Sequence, residues 1–393
     1  MQVDLLMFDY GSSGFKRYAV GIVKEIKDKM PNAVVAAGYM VQDGNEDYPL
    51  IDYLFCVQDY RCSAVEVLSE YQPKAILLFA HRFFDYMFTV EAHRQNVCVY
   101  NFQHGIYMSN TVISAVSTHN ILPLIRKKSE KVKLYSKCIF NMFGKQYFET
   151  VKVLLSLLRG QSVYQMLHEH FGSQCDADVS FIYGEYWKGY FEKQFGETNS
   201  RFVIVGYPEL ENAHREIDRC AFMDESKPVL GYLAQTSVED GVINPEVLQS
   251  FLNKLAGCLD CSNLVMKFHP RNDRNLYATL LSHQTSGQVQ VWAEKEFPIA
   301  DIYIGHESTV LAQAMYITPK VLVCNLEEGR HSQFEQYTDY VLAPTEDLAA
   351  MVKKALSGTQ KPKSGIKEYT LKNEKGGALR ETAQEILAKI KTS

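Results

Sequence analysis

Short apolar runs recur along the chain with longer amphipathic stretches between them. "VDLLMFD" at 3–9 predicts a first strand, followed by "YGSSG" and an amphipathic helix from about Phe15 to Lys29. Further apolar runs stand at "AVVAAGYMV", "IDYLFCV", "KAILLFA" and "VCVYNF", with helix-like segments such as "SAVEVLSEY" and "FFDYMFTVEAHRQ" between the later ones. Runs this short and this rich in β-branched and aromatic residues predict strands buried on both faces, and their alternation with helices predicts a parallel sheet. The rhythm breaks over about 111–175, which reads as helical, and resumes with "VSFIYG", "EYWKGYFEKQF" and "RFVIVGYPE". A second series starts near Lys227 with "PVLGYLAQ", "NLVMKFHP", "QVQVWAE", "ADIYIGH" and "KVLVCN". Two such series on either side of a charged stretch at 209–226 predict two α/β domains. The first takes residues 1–210 with its helical insertion at about 111–175; the second takes 226–393, with room for the C-terminal helix to cross back.

A chain of 393 residues suits two domains at about 100–200 residues each. Apolar residues at 46% and charged residues at 22% are ordinary for a folded protein, and a net charge of -5 argues against a dedicated nucleic-acid binder. No apolar run reaches the roughly 18 residues of a membrane span, and the N-terminal stretch, with Asp4, lacks the basic start of a signal peptide. A cytoplasmic protein with its nine cysteines reduced is therefore expected. Cys258 and Cys261 form a Cys-x-x-Cys with no second pair and read as structural thiols. No Asp-x-Asp stands where a metal–phosphate site would need one, since "CDAD" at 175–178 precedes a strand; neither a catalytic metal nor a cofactor is expected. The charge is unevenly spread. Arg126, Lys127, Lys128, Lys131, Lys133, Lys137 and Lys145 cluster among aromatic residues, which suits an anionic membrane surface or a charged acceptor.

Candidate chemistry lies where the strands end, because ligands of open α/β sheets sit at the carboxyl ends of the strands. "VCVYNFQHGIY" at 97–107 ends a buried strand in Gln103, His104 and Gly105, and the glycine permits close approach of backbone. "NLVMKFHPRND" ends another in Lys267, His269 and Arg271, with Pro270 fixing the turn. "ADIYIGHESTVLAQAM" places His306, Glu307, Ser308 and Thr309 at the start of a helix, where hydroxyls and unpaired N–H groups make an anion site. "GYLAQTSVEDG" supplies Gln235, Thr236 and Ser237. Taken singly, Ser308 reads as a helix cap and Thr236 as a turn residue; their joint occurrence in one half points to phosphate binding.

In that order, "FQHGIY", "IYGEYWKGYF" with "VGYPE", "KFHPR" and "GHESTVLAQA" resemble bacterial glycosyltransferases of surface-polysaccharide synthesis with the GT-B fold, over about 97–320. The nearest groups are the CDP-glycerol glycerophosphotransferases, the sialyl- and polysialyltransferases and the capsule transferases for 3-deoxy-octulosonic acid. The resemblance implies two Rossmann-like domains in the GT-B arrangement and a nucleotide-activated donor, CMP- or CDP-linked. It also implies a glycan or lipid-linked acceptor. It maps the general base onto His104 and the donor-phosphate contacts onto His269 with Pro270 and onto Ser308 with Thr309. The sialyltransferases carry an acidic pair before the glycine where this chain has Gln103 and His104, so "VEDG" keeps Glu239 and Asp240 as reserve bases.

Glycosyl transfer needs an acceptor hydroxyl that loses its proton as it attacks and a leaving phosphate whose charge is stabilised. A neutral His104 suits the first task, and a cationic His269 with helix N–H groups suits the second without a metal. Two rivals share the pattern: a UDP-sugar 2-epimerase, which would need acidic groups at strand ends, and a non-catalytic protein that binds polysaccharide or membrane.

Overall fold

The computed structural model describes residues 1–44, 47–106, 133–144, 146–158, 163–212, 214–359, 363, 365–374 and 376–392. Contacts divide the chain into two compact units. The first comprises 1–104, the described residues up to Pro208, and the tail from Leu371; the second comprises the described residues of 209–370 with Gly105 and Ile106.

The first unit is built on a seven-stranded sheet of β1 (Leu5–Gly11), β2 (Val35–Val41), β3 (Tyr53–Cys56), β4 (Ala75–Leu78), β5 (Cys98–Phe102), β6 (Val179–Ile182) and β7 (Arg201–Ile204). Its spatial order is 3-2-1-4-5-6-7 and every pair is parallel. The connecting helices are α1 (Ala19–Lys29), α2 (Ala64–Tyr71) and α3 (Phe83–Arg94), then an insertion of α4 (133–142), α5 (Tyr147–Leu158) and α6 (Val163–Phe171), then α7 (Glu185–Phe195). All four residues of β4 and of β6 are buried, as expected of strands covered on both faces.

The second unit carries β8 (His214–Glu216), β9 (Val229–Leu233), β10 (Asn263–Lys267), β11 (Val289–Val291), β12 (Phe297–Ile299), β13 (Ile302–Gly305), β14 (Val321–Cys324) and β15 (Tyr340–Leu342). Its helices are α8 (Pro245–Gly257), α9 (Ala278–Leu281), α10 (Thr309–Ile317), α11 (Leu348–Ser357) and α12 (Gly365–Tyr369). The six-stranded sheet runs β11-β10-β9-β13-β14-β15, all parallel, while β8 and β12 form a separate pair. Numbered from β9, this is again the doubly wound order 3-2-1-4-5-6, and the first unit repeats it with one strand added. The order reverses once in each sheet, between β1 and β4 and between β9 and β13.

The tail departs from the 226–393 assignment. Residues from Leu371 lie with the first unit, and the division falls at Pro208 and Glu209. The physical reason is backbone pairing followed by helix packing. Leu371 donates to the Tyr183 carbonyl at 3.0 Å and accepts from the Tyr207 N–H at 2.7 Å. The last helix, α13 (Ala378–Ile390), then lies against α1, where Leu379 fills the space left by Gly21, and its Arg380 reaches Glu25 at 3.8 Å.

The described part of the insertion is mainly helical, with a turn at 143–144 between α4 and α5. In α4, Cys138, Ile139 and Met142 join the core of the first unit, and Asn141 donates to the carbonyls of Arg61 and Cys62 at 2.8 and 3.3 Å. Of the basic cluster, Arg126, Lys127, Lys128, Lys131 and Lys145 lie outside the described residues; Lys133 and Lys137 are exposed on α4. The acids of "CDAD" are structural pins. Asp176 is 3% exposed and accepts from the Asn199 side chain at 2.8 Å, and Asp178 accepts from the Val99 N–H at 2.7 Å. All nine cysteines are free thiols. Among the described residues no helix is long and apolar enough to cross a membrane, and no group of three or more His, Cys, Asp or Glu could hold a metal ion.

Candidate functional site

In the second unit the sequence reverses winding direction between β9 and β13, so their carboxyl ends open a crevice in which the following loops meet. Gln235 holds these loops together. Its amide oxygen accepts the Glu307 N–H at 2.8 Å and its amide nitrogen donates to the Glu307 carbonyl, a two-bond clasp between the two strand ends. Beyond it, Thr236 donates to Asp240 at 2.6 Å, and Arg271 reaches both oxygens of Asp240 at 2.7 and 3.1 Å and Thr236 at 3.2 Å. The loop after β10 is thereby tied to the loop after β9.

That network decides the reserve bases. Hydrogen bonds from Arg271 and Thr236 hold the Asp240 carboxyl below its ordinary range, so it is a weak proton acceptor near neutral pH. Glu239 accepts from the Asn272 side chain at 3.1 Å and the Asp273 N–H at 2.8 Å, which also fastens the β10 loop. "VEDG" acts here as a loop anchor.

His269 is exposed, and its Nδ1 accepts the Arg271 N–H at 3.1 Å, so the neutral ring carries its proton on Nε2. Pro270 and Arg271 are exposed beside it, while Lys267, the last residue of β10, is half-buried and its ammonium is pushed down by burial. His306 behaves differently from the sequence expectation of a donor contact. The ring is 6% exposed, with Nδ1 at 3.0 Å from the Cys324 carbonyl and Nε2 at 3.1 Å from the Tyr232 hydroxyl. Burial pulls it down to about 4, so it is a neutral strut joining β13, β14 and β9, with both nitrogens engaged. Ser308 caps α10, its hydroxyl accepting the Val310 N–H at 3.3 Å, and Thr309 is the first helical residue.

A narrow recess of about 20 Å³ lies at these strand ends, lined by Ser237, His306, Glu307, Asn325 and Arg330 among others. A second recess of about 290 Å³, lined by Phe251, Lys254, Leu342 and Pro344, shares Asn325 and Leu326 with it. The first is about the size of a single water, while the second approaches the lower end for small-molecule sites. Arg330 lies 3.7 Å from one oxygen of Glu307, while the other oxygen is buried without a hydrogen-bond partner among the described residues. Burial pushes the Glu307 carboxyl up, against the pull of Arg330. A buried oxygen of this kind is an acceptor for a ligand hydroxyl. Arg330 was not among the sequence candidates. Its signal was the polar loop "LEEGRHS" after "KVLVCN", a fourth strand end of the same sheet.

In the first unit, His104 follows β5 and is half-buried, edge-on to Tyr18 with ring centroids 5.7 Å apart. Gly105 takes φ 77°, a left-handed turn that favours glycine and ends the strand abruptly. Gln103 does not fit the catalytic role expected of it. It is 1% exposed, its amide oxygen accepts the Tyr183 N–H at 3.0 Å, and its carbonyl accepts the Tyr183 hydroxyl at 2.5 Å. The residue ties β5 to β6, which leaves His104 as the remaining candidate of the turn.

Two further groups were missed. At the reversal between β1 and β4, Arg82 pairs with Asp9 and lies 3.4 Å from Asp85, both acids being almost wholly buried. Burial pushes Asp85 up to about 7 against the pull of Arg82. Under α7, His81 and Glu197 are both about 4% exposed and 3.9 Å apart. Glu197 accepts from Ser180 at 2.8 Å and Ser200 at 3.1 Å, and burial raises it to about 7. Arg82 with Asp9, and His81 with Glu197, are joined by the fold across long sequence separations.

No model of a known protein family matches the chain, and no curated protein matches it. Solved structures do. A UDP-GlcNAc 2-epimerase from Methanocaldococcus jannaschii superposes with a TM-score of 0.51 at 10% identity, covering 99% of each chain. The calicheamicin glycosyltransferase CalG4 superposes with a TM-score of 0.50 at 13% identity, covering 100% of this chain and 95% of its own. At such identities the likeness is one of fold: two Rossmann-like domains of the GT-B class, shared by nucleotide-sugar epimerases and glycosyltransferases.

Proposed function

We propose that the protein is a metal-independent glycosyltransferase. It moves a sugar or polyol-phosphate unit from a nucleotide-activated donor, CMP- or CDP-linked, to a surface-polysaccharide or lipid-linked acceptor at the inner face of a membrane. The observation that carries this reading is the β9–β13 crevice, where the start of α10, the Glu307–Arg330 pair and the exposed His269 share one sheet end. Helix N–H groups and Arg330 suit phosphate; the unpartnered oxygen of Glu307 suits a hydroxyl of the donor. The Nε2 proton of His269 would meet the leaving phosphate, with Ser308 and Thr309 at the helix start and Thr236, Lys267, Pro270 and Arg271 shaping the loops. His104, in the first unit, takes the acceptor proton. Thermal shifts with CMP, CDP, UDP and GDP test the donor site, since a ligand that binds only the folded state raises the melting temperature. A rise with a cytidine nucleotide is expected, and Arg330→Gln should weaken it by about tenfold in Kd through loss of a charge-assisted hydrogen bond. His269→Ala should cost about 2–4 kcal/mol in the transfer barrier, checked by initial rates; unchanged turnover would make the His-Pro turn structural.

A second reading has its own observation. Asp9 and Asp85 supply buried acids at the β1–β4 strand ends, the feature a 2-epimerase would need, and Asp85 keeps a proton to about pH 7. Isomerisation of a UDP-sugar with uptake of solvent deuterium would favour it, whereas inertness toward all donors would favour a non-catalytic binding protein.

A further inference from the structure

The helix α5 carries apolar side chains on two faces. Thr150 and Val153 turn inward, at 7% and 1% exposure. Tyr147, Val151 and Leu155, spaced i, i+4, i+8, share an outward face with the adjoining Phe148, and their exposures are 75%, 47%, 46% and 92%. Single exposed apolar residues are ordinary, but four on one face of one helix form a patch that calls for an occupant. The sequence around this helix is strongly cationic. Residues 126–155 hold eight Lys or Arg against two Glu, in a chain whose net charge is -5. Lys133 and Lys137 are exposed on α4, whose Phe140 ring meets Tyr147 at 5.5 Å, and the Lys152 side chain on α5 is 68% exposed.

We infer that α5 lies flat on an anionic lipid surface, with Phe148, Tyr147, Val151 and Leu155 entering the headgroup region and the flanking lysines meeting lipid phosphates. Apolar insertion and basic flanks are the two components of interfacial helix binding, and each cation near such a surface adds to it. A second copy of the chain is the poorer occupant, because two-fold pairing through this face would set the same cations against each other. The inference gives the membrane-bound acceptor reading a physical element, yet its test needs neither donor nor acceptor, so it stands or falls apart from the reaction.

The full chain is sedimented with vesicles of phosphatidylcholine alone and of phosphatidylcholine with phosphatidylglycerol. Binding to the second and not the first is expected, and the double change Tyr147→Ser with Phe148→Ser should weaken it by at least about tenfold. These side chains are exposed, so the variant should keep the parent melting temperature. In a second measurement Phe148→Trp supplies a fluorophore at the face; brominated acyl chains should quench its emission in anionic vesicles. Equal binding to both vesicle types, undiminished binding by the double variant, or a dimer in solution that the double variant abolishes would each overturn the proposal.

Discussion

On the proposed reading, His104→Gln is expected to lower transfer by about a hundredfold or more and to leave any nucleotide-induced rise in melting temperature unchanged. The loss follows from the chemistry of the missing base. The acceptor hydroxyl would have to give up its proton unaided in the transition state, and glutamine keeps polarity and approximate size without accepting a proton at neutral pH. The position tolerates the change structurally, since Gly105 makes the turn and Gln103 ties β5 to β6, while the His104 ring is only half-buried. Donor binding persists because the crevice residues belong to the second unit. Initial rates at saturating donor, with a parallel thermal shift, separate the two effects. Near wild-type transfer by this variant would remove His104 as base. The assignment would then pass to Asp85, whose carboxyl burial makes more basic, and not to Asp240, whose basicity the hydrogen bonds from Arg271 and Thr236 lower.

Glu197→Gln is expected to stabilise the fold by about 3 kcal/mol at pH 8 and by little at pH 4. In the folded protein burial raises this carboxyl to about 7, whereas the unfolded chain titrates near its ordinary value of 4.5. Between those values the native state holds a proton that the unfolded state has lost. Stability therefore falls as pH rises through that window and levels off above it. Glutamine does not titrate, and its amide oxygen can still accept from Ser180 and Ser200. His81, pulled down to about 3 by burial, stays neutral throughout and affects both proteins alike, so the difference between them isolates Glu197. Urea denaturation at pH 4, 6 and 8 checks this. A difference that does not grow with pH would mean that Glu197 is ionised in the folded protein.

Most strands of the two large sheets were legible because they are short apolar runs between polar turns, whereas β8, the polar segment His214–Glu216, and the three-residue β12 and β15 were not. The carboxyl-end loops were legible too, since "QHG", "HPR" and "HEST" concentrate polar chemistry where apolar runs stop. What each loop residue does was not. His306 and His269 look alike as strand-end histidines, but one is a buried neutral strut and the other an exposed ring; only the partners Tyr232 and Cys324 separate them. Arg82 and Asp9 stand 73 residues apart and meet because β1 and β4 are neighbours at the reversal of strand order. The crossing back of the C-terminal helix was allowed for, but the point where the tail joins the first unit was hidden, as it rests on backbone bonds of Leu371 that any residue type except proline could make.

Glycosyl transfer is tested most directly by following nucleotide release from CMP-, CDP-, UDP- and GDP-linked donors with and without a polysaccharide or lipid-linked acceptor. The account predicts release from a cytidine-linked donor that depends on acceptor and fails in His104→Gln. Conversion of a UDP-sugar to its 2-epimer without nucleotide release, or inertness toward every donor, would contradict it.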